Sequence, residues 1–266
     1  MNEKLFNRYN KVMQKVFEER MDNVNTKQEY FSLIKCARDK FEDELIDGVA
    51  VDEILRKDIE HEGIDNVLDF ALMICDMYLP FSLISILHEM LGVDGIKSRI
   101  TDETRPQADR ASLVNSLIGY DTDDNRNFLI NLITSSDSDL IREEASDVLA
   151  TFDKDSVFKD ISDYFIKNKV EVDLLSVLIE IFRESDKKDQ IYKLLRVHFL
   201  HTDNKGMTAN LMADLNDGRA VSFLRGYLTK NMYSIKKSEI VDICGAISRM
   251  GGYVEDFIKY NSNTDS

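Results

Sequence analysis

At 266 residues, 43% of them hydrophobic, the chain is long enough to bury a substantial core, as one elongated domain or two compact ones, which excludes a largely disordered polypeptide. Forty-nine acidic residues against 34 Lys plus Arg leave a formal net charge of -15, a balance that repels nucleic acid, attracts basic proteins, and also serves simply to keep a protein soluble. Two prolines, 11 glycines and no tryptophan leave room for long helices, and no run reaches the ~20 apolar residues of a membrane span, the longest apolar region, 70–91, being broken by Asp76 and Pro80.

In chain order, residues 3–20 place Leu5, Phe6, Tyr9, Val12, Met13, Val16 and Phe17 on one stripe, the spacing of a helix with one buried face. Thr26 and Glu29 form a capping-box pattern. Tyr30, Ile34, Ala37, Phe41 and Leu45 then predict a helix that ends near Gly48. Shorter helices are expected at 51–61, 65–79 and 81–92, with Pro80 at the first turn of the last, where a missing N–H costs nothing. The N-terminus is charged and amphipathic, without the apolar stretch of a signal peptide, and Cys36, Cys75 and Cys244 lie far apart in apolar patterns. Both features predict a cytoplasmic protein with buried thiols.

From residue 101 the pattern repeats. Leu113, Ala145, Leu178, Leu211 and Cys244 recur in successive first helices at spacings of 32, 33, 33 and 33. In the second helices Leu129, Ile161, Leu194, Tyr227 and Tyr260 recur at the same spacings. A third column, Leu117, Leu149, Phe182 and Leu215, fails at Ser248. Polar connectors separate the helices of each unit, and no unit is large enough to bury its apolar face alone, so neighbours must stack.

The unit at 139–166 reads Asp139-Leu-Ile-Arg142-Glu-Glu-Ala145, then Val148, Leu149 and the loop residue Asp153, and resembles the HEAT-repeat pattern. The unit at 207–228, with Leu211, Ala213, Leu215 and Asp217-Gly-Arg219-Ala220-Val221, is similar to the bacterial HEAT-like repeat of phycobilisome lyases, although Gly218 stands where that family often places Pro. The unit at 172–200 departs from the pattern, with Leu175 at the position of the family's Arg. The resemblance implies an all-α, right-handed α-α superhelix of stacked antiparallel helix pairs, an armadillo-like solenoid with a concave face. The expected organisation is an N-terminal helical segment over 1–100 (degenerate repeats or a cap), five HEAT-like repeats over 101–262, and a disordered tail at 263–266.

Motifs for chemistry fail on inspection. His61-Glu62 opens like a zinc-peptidase HExxH, but Asp65 holds the fifth position and Gly63 breaks the helix; His88-Glu89 has no second histidine. His198 and His201 share a helical face near Asp203 but lack a fourth ligand, and read as a part-buried histidine and a C-terminal cap. Asp121-Thr-Asp123-Asp-Asn125 opens like a calcium loop, yet Arg126 replaces the glycine and Leu132 the bidentate Glu. Gly245, Gly251 and Gly252 read as a close helix contact and a helix stop. No cofactor, metal or catalytic residue is therefore expected, and the chain reads as a binding protein and not an enzyme.

Between 205 and 237 six cations, Lys205, Arg219, Arg225, Lys230, Lys236 and Lys237, face only Asp214 and Asp217. Partner-facing residues predicted from their place in the second helices are Asp163, Lys193, Arg196 and Arg225, to which the basic patch adds Arg219 and Lys230. The expected function is a non-catalytic scaffold or adaptor gripping a protein partner, in one version an acidic immunity protein for a basic toxin. One alternative is a nucleic-acid-binding or base-modifying HEAT-like protein using the 205–237 patch; another, implied only by the repeat family, is a lyase or chaperone for a bound pigment. HEAT-like DNA glycosylases have a strongly basic, aromatic groove, which the absent Trp and the acidic balance do not match.

Overall fold

The computed structural model describes residues 3–75, 78–136, 138–169 and 171–258. The fold is all-α, with helices packed pair on pair; among the described residues its only sheet is one two-stranded hairpin. Two compact units are present, Met1–Tyr120 with Asp137–Val148, and Asp121–Ser136 with Leu149–Ser266, called unit 1 and unit 2.

Unit 1 opens with α1 (Glu3–Arg20) packed on α2 (Lys27–Glu42). Leu5, Phe6, Tyr9 and Val16 form the buried stripe of α1; Tyr9 meets Phe41 edge-on at 5.0 Å, and its hydroxyl donates to the Tyr78 carbonyl at 2.8 Å. The capping box is present in both directions: the Glu29 amide donates to Thr26 Oγ1 and the Thr26 amide to Glu29 Oε2.

The helix does not reach Gly48. It stops at Glu42, and β1 (Leu45–Ile46) pairs with β2 (Val49–Ala50) around a turn in which Asp47 (φ 54°) and Gly48 (φ 83°) are both left-handed. An Asp-Gly pair between short apolar runs favours this type I′ turn, whose twist matches that of the strands. Helices α3 (Val51–Glu62) and α4 (Ile64–Ile74) follow, so the helix expected over 65–79 ends at 74. Pro80 caps α5 (Phe81–Thr101), which breaks at Gly92, where φ is 66°. After α6 (Gln107–Val114), a 3-10 turn at Asn115–Leu117 and the greater part of α8 (Asp139–Ala150) complete unit 1.

Ion pairs in unit 1 join neighbouring helices and their connectors. Arg56 meets Glu89 at 2.6 Å, Arg99 meets Asp65 at 2.6 Å and Arg105 meets Asp69 at 2.5 Å, with partners 33, 34 and 36 residues apart.

Unit 2 contains α7 (Asp123–Ser135), α9 (Lys154–Lys167), α10 (Val172–Phe182), α11 (Lys188–His201), α12 (Lys205–Leu215), α13 (Arg219–Asn231) and α14 (Lys237–Arg249). First helices stack, α10 on α12 and α12 on α14, while α7 packs on α9 and each later second helix lies against its neighbouring first helices. All five first-helix column residues, Leu113, Ala145, Leu178, Leu211 and Cys244, are buried, as are Leu117, Leu149, Phe182 and Leu215.

The second-helix column holds for two units and then shifts by one residue. Leu129 and Ile161 are buried, but Leu194 and Tyr227 are half-exposed, and the fully buried positions are Leu195 and Leu228. Tyr260 and the tail at 263–266 lie outside the described residues.

Candidate binding face

The second helices α11 and α13 of unit 2 carry most of the predicted partner-facing residues. On α11, Ile191, Tyr192, Leu195 and Phe199 are buried, while Lys193, Arg196, Val197 and Leu200, at the i, i+3, i+4, i+7 spacing of a single face, are exposed. On α13, Ala220, Leu224 and Leu228 are buried, and Phe223 and Tyr227 are half-buried toward α11.

Ring contacts fix the register of the two helices. The Arg219 guanidinium lies 4.6 Å from the Tyr192 ring, Arg196 lies 4.9 Å from the Phe223 ring, and Phe199 meets Tyr227 edge-on at 4.9 Å. Contacts at 192, 196 and 199 with 219, 223 and 227 mean that α11 and α13 run side by side in the same direction. Exposed Leu200 therefore stands one turn beyond Arg196, level with Tyr227.

The cations of this region differ sharply in what they touch. Arg219 donates to Asp217 and to Asp189, each at 2.6 Å, and these hydrogen bonds raise its pKa. The same bond from Arg219 holds the Asp217 carboxyl below the usual carboxylate range. Asp189 is lowered by Lys193, 2.6 Å away, and by Arg219. Arg225 pairs with Asp256 at 2.8 Å and covers the Phe257 ring at 5.1 Å. Lys205 donates to the carbonyls of Phe199 and Thr202, at 3.0 and 2.7 Å, and so caps the C-terminal end of α11.

Arg196 is the exception. Its guanidinium is held by the faces of Phe223 and, at 5.9 Å, Tyr192, and among the described residues no carboxylate lies within ion-pair distance. The structure thus brings Lys193, Arg196 and Arg219 together around Asp189 and Tyr192. It places Arg225 with the turn at 255–258 and leaves Asp163 and Lys230 exposed on α9 and α13. Sequence reasoning missed Val197, Leu200 and Phe223; the signal was present as two apolar residues in phase with Lys193 and Arg196, opposite the buried stripe.

The other motifs have structural employment. In the calcium-like loop Arg126 fills the centre, bonded to Asp121, Asp123 and Asp160. His198 Nδ1 is 2.9 Å from the buried Thr208 hydroxyl, and burial lowers its pKa. His88 Nε2 meets the Ser116 carbonyl at 2.7 Å, and the ring stacks on Tyr120 at 3.6 Å. Gly245 makes no close contact: a Cβ there would meet nothing within 4 Å, whereas at Gly252 it would lie 2.5 Å from the Ile247 side chain and 2.8 Å from Val221. In unit 1 a groove of about 700 Å³ between α1 and the hairpin is lined by Leu45, Ile46, Asn7 and several charged residues, of which Lys4 and Arg8 already pair with Asp47 and Glu44. Among the described residues no helix is long and apolar enough to cross a membrane. No group of three or more His, Cys, Asp or Glu residues that could hold a metal ion occurs among them either.

Comparison with protein-family models, with curated proteins and with solved structures finds no match to this chain.

Proposed function

We propose that this chain is a non-catalytic, HEAT-like scaffold that binds a protein partner through the exposed side of its second helices. The observation that carries the reading is the pairing of apolar exposure with a buried opposite face: Val197 is 50% and Leu200 58% exposed on a helix that buries its own Ile191, Tyr192, Leu195 and Phe199 on the other side. Exposed aliphatic side chains beside an aromatic-backed arginine have the composition of an interface centre.

The nucleic-acid alternative has less support, because Lys205, Arg219 and Arg225 are already engaged within unit 2 and contribute little free charge to a phosphate backbone. The net charge of -15 favours an inhibitor of a basic toxin as one version of the scaffold, through long-range steering of a cationic partner. Three free cysteines, two of them buried, suit a reducing cytoplasm. The test is to immobilise the full chain in native lysate of its source cells. A single protein retained in stoichiometric amount and unaffected by nuclease is expected; retention of nucleic acid alone, or turnover of a small molecule by the isolated chain, contradicts the reading.

A further inference from the structure

Building on the scaffold reading, we infer that the α11–α13 face takes an acidic, apolar segment of its partner, in which a carboxylate is read by Arg196 and adjoining aliphatic or aromatic side chains cover Val197 and Leu200. Arg219, 23 residues beyond Arg196 and over the same Tyr192 ring, has two carboxylates; Arg196 has the rings and, among the described residues, no anion. A guanidinium resting against the Phe223 ring, 4.9 Å from its centroid, is partly placed in advance, so less side-chain entropy is lost when a carboxylate accepts from it in bidentate geometry.

The neighbours choose the class of ligand. Val197 and Leu200 lie on the same helical face, one residue and one turn from Arg196, while Phe223 and Tyr227 of α13 pack on Phe199 of the same helix. A free anion, or a phosphate backbone with its sugars turned outward, leaves these aliphatic groups in water. A peptide segment alternating Asp or Glu with Leu, Ile or Phe covers them and matches the arginine at once. The overall acidity does not oppose this at contact range: exposed charges are screened over about 8 to 10 Å at physiological salt, roughly one helix diameter. Asp189, on the same helix, is already paired with Lys193 and Arg219.

The experiment is peptide display against the folded full chain, followed by anisotropy titration of the enriched peptides on the parent and on Arg196→Glu, Arg196→Lys and Leu200→Ser. Enriched peptides are expected to carry a carboxylate within one turn of a large apolar side chain. Affinity should fall more than about tenfold in Arg196→Glu, and by a smaller factor in Arg196→Lys, which keeps the charge and loses the fork. Circular dichroism checks that these surface variants remain folded. Enrichment of basic peptides, binding indifferent to Arg196→Glu, or Arg196-dependent binding of a single-stranded oligonucleotide in place of peptide would overturn the inference. A stoichiometric protein partner captured equally by parent and Arg196→Glu would sink this site and leave the scaffold reading standing.

Discussion

Arg126 on α7 reaches Asp160 on α9, Nε to Oδ2 at 2.5 Å, and the two residues stand 34 positions apart in the chain. The same guanidinium also holds Asp121 and Asp123, and the other carboxylate oxygen of Asp121 accepts the Asp153 amide at 2.7 Å. One side chain therefore ties two successive inter-helix connectors of unit 2 together.

Replacing Arg126 with Leu should destabilise unit 2 by about 2–4 kcal/mol, since it leaves Asp160 and Asp121 facing each other with their shared cation gone. Restoring neutrality with Asp160→Asn in the same chain should recover part of that loss. Urea unfolding of the single and double variants measures both effects, and additive losses would show that the two residues are not coupled.

Leu194 and Leu195 separate the two possible phases of α11. Leu195 is fully buried and Leu194 half-exposed, so Leu195→Ala should cost about 2–5 kcal/mol and Leu194→Ala less than half as much. Equal losses in thermal unfolding would restore the phase read from sequence.

Arg38 is only 4% exposed and lies 3.6 Å over the Phe81 ring, and its Nε and Nη2 have no hydrogen-bond partner among the described residues. Burial lowers its pKa. Arg38→Met, similar in length and without charge, should leave unit 1 as stable or more stable by about 1 kcal/mol. A loss above ~2 kcal/mol would mean that the charge is compensated.

Gly252 and Gly245 should respond in opposite directions to alanine. At Gly252 the new methyl collides with Ile247 and Val221, at a cost of about 1–3 kcal/mol; at Gly245, an exposed position within α14 with open space, the helix gains about 0.5–1 kcal/mol. Unfolding midpoints of the two variants decide it.

Acid should unfold the protein in two stages. His88 and His198 are lowered from an ordinary value of 6.5 by burial, so below that value the unfolded chain takes protons first and stability falls with pH. Asp217 and Asp256 are lowered by their arginines and Asp153 by the Ser156 amide; their contribution is complete above the ordinary carboxylate value of 3.8 and is lost as pH falls through their lower folded values. The double variant His88→Gln, His198→Gln should flatten stability between about pH 7 and 5 while leaving the later loss in place. An unchanged slope over that interval would contradict the assignment.

The helices were legible because their apolar residues recur at helical spacing and their ends carry ordinary signals: Thr26 with Glu29, Pro80, and Gly251 at φ 78°. The first-helix column was legible because a single residue per helix satisfies the spacing. In α11 and α13 two adjacent apolar residues do, and the choice of Leu194 and Tyr227 over Leu195 and Leu228 rotates the inferred face by about 100°. The hairpin was hidden because Leu45 continues the stripe of Phe41, although Asp47-Gly48 marks the turn. Net charge and a count of cations did not reveal that Arg219 is neutralised and Arg196 is not, because Asp189 meets Arg219 across 30 residues only once helices stack.

The most direct measurement of the central claim is photo-crosslinking in the source cells, with the reactive side chain placed at Leu200 on α11 or, as a control, at Val241, 59% exposed on α14. One protein should be captured at position 200 through a peptide rich in carboxylates and apolar residues, and its capture should disappear with Arg196→Glu. Equal capture at 241, or capture at 200 that survives Arg196→Glu, would contradict the account.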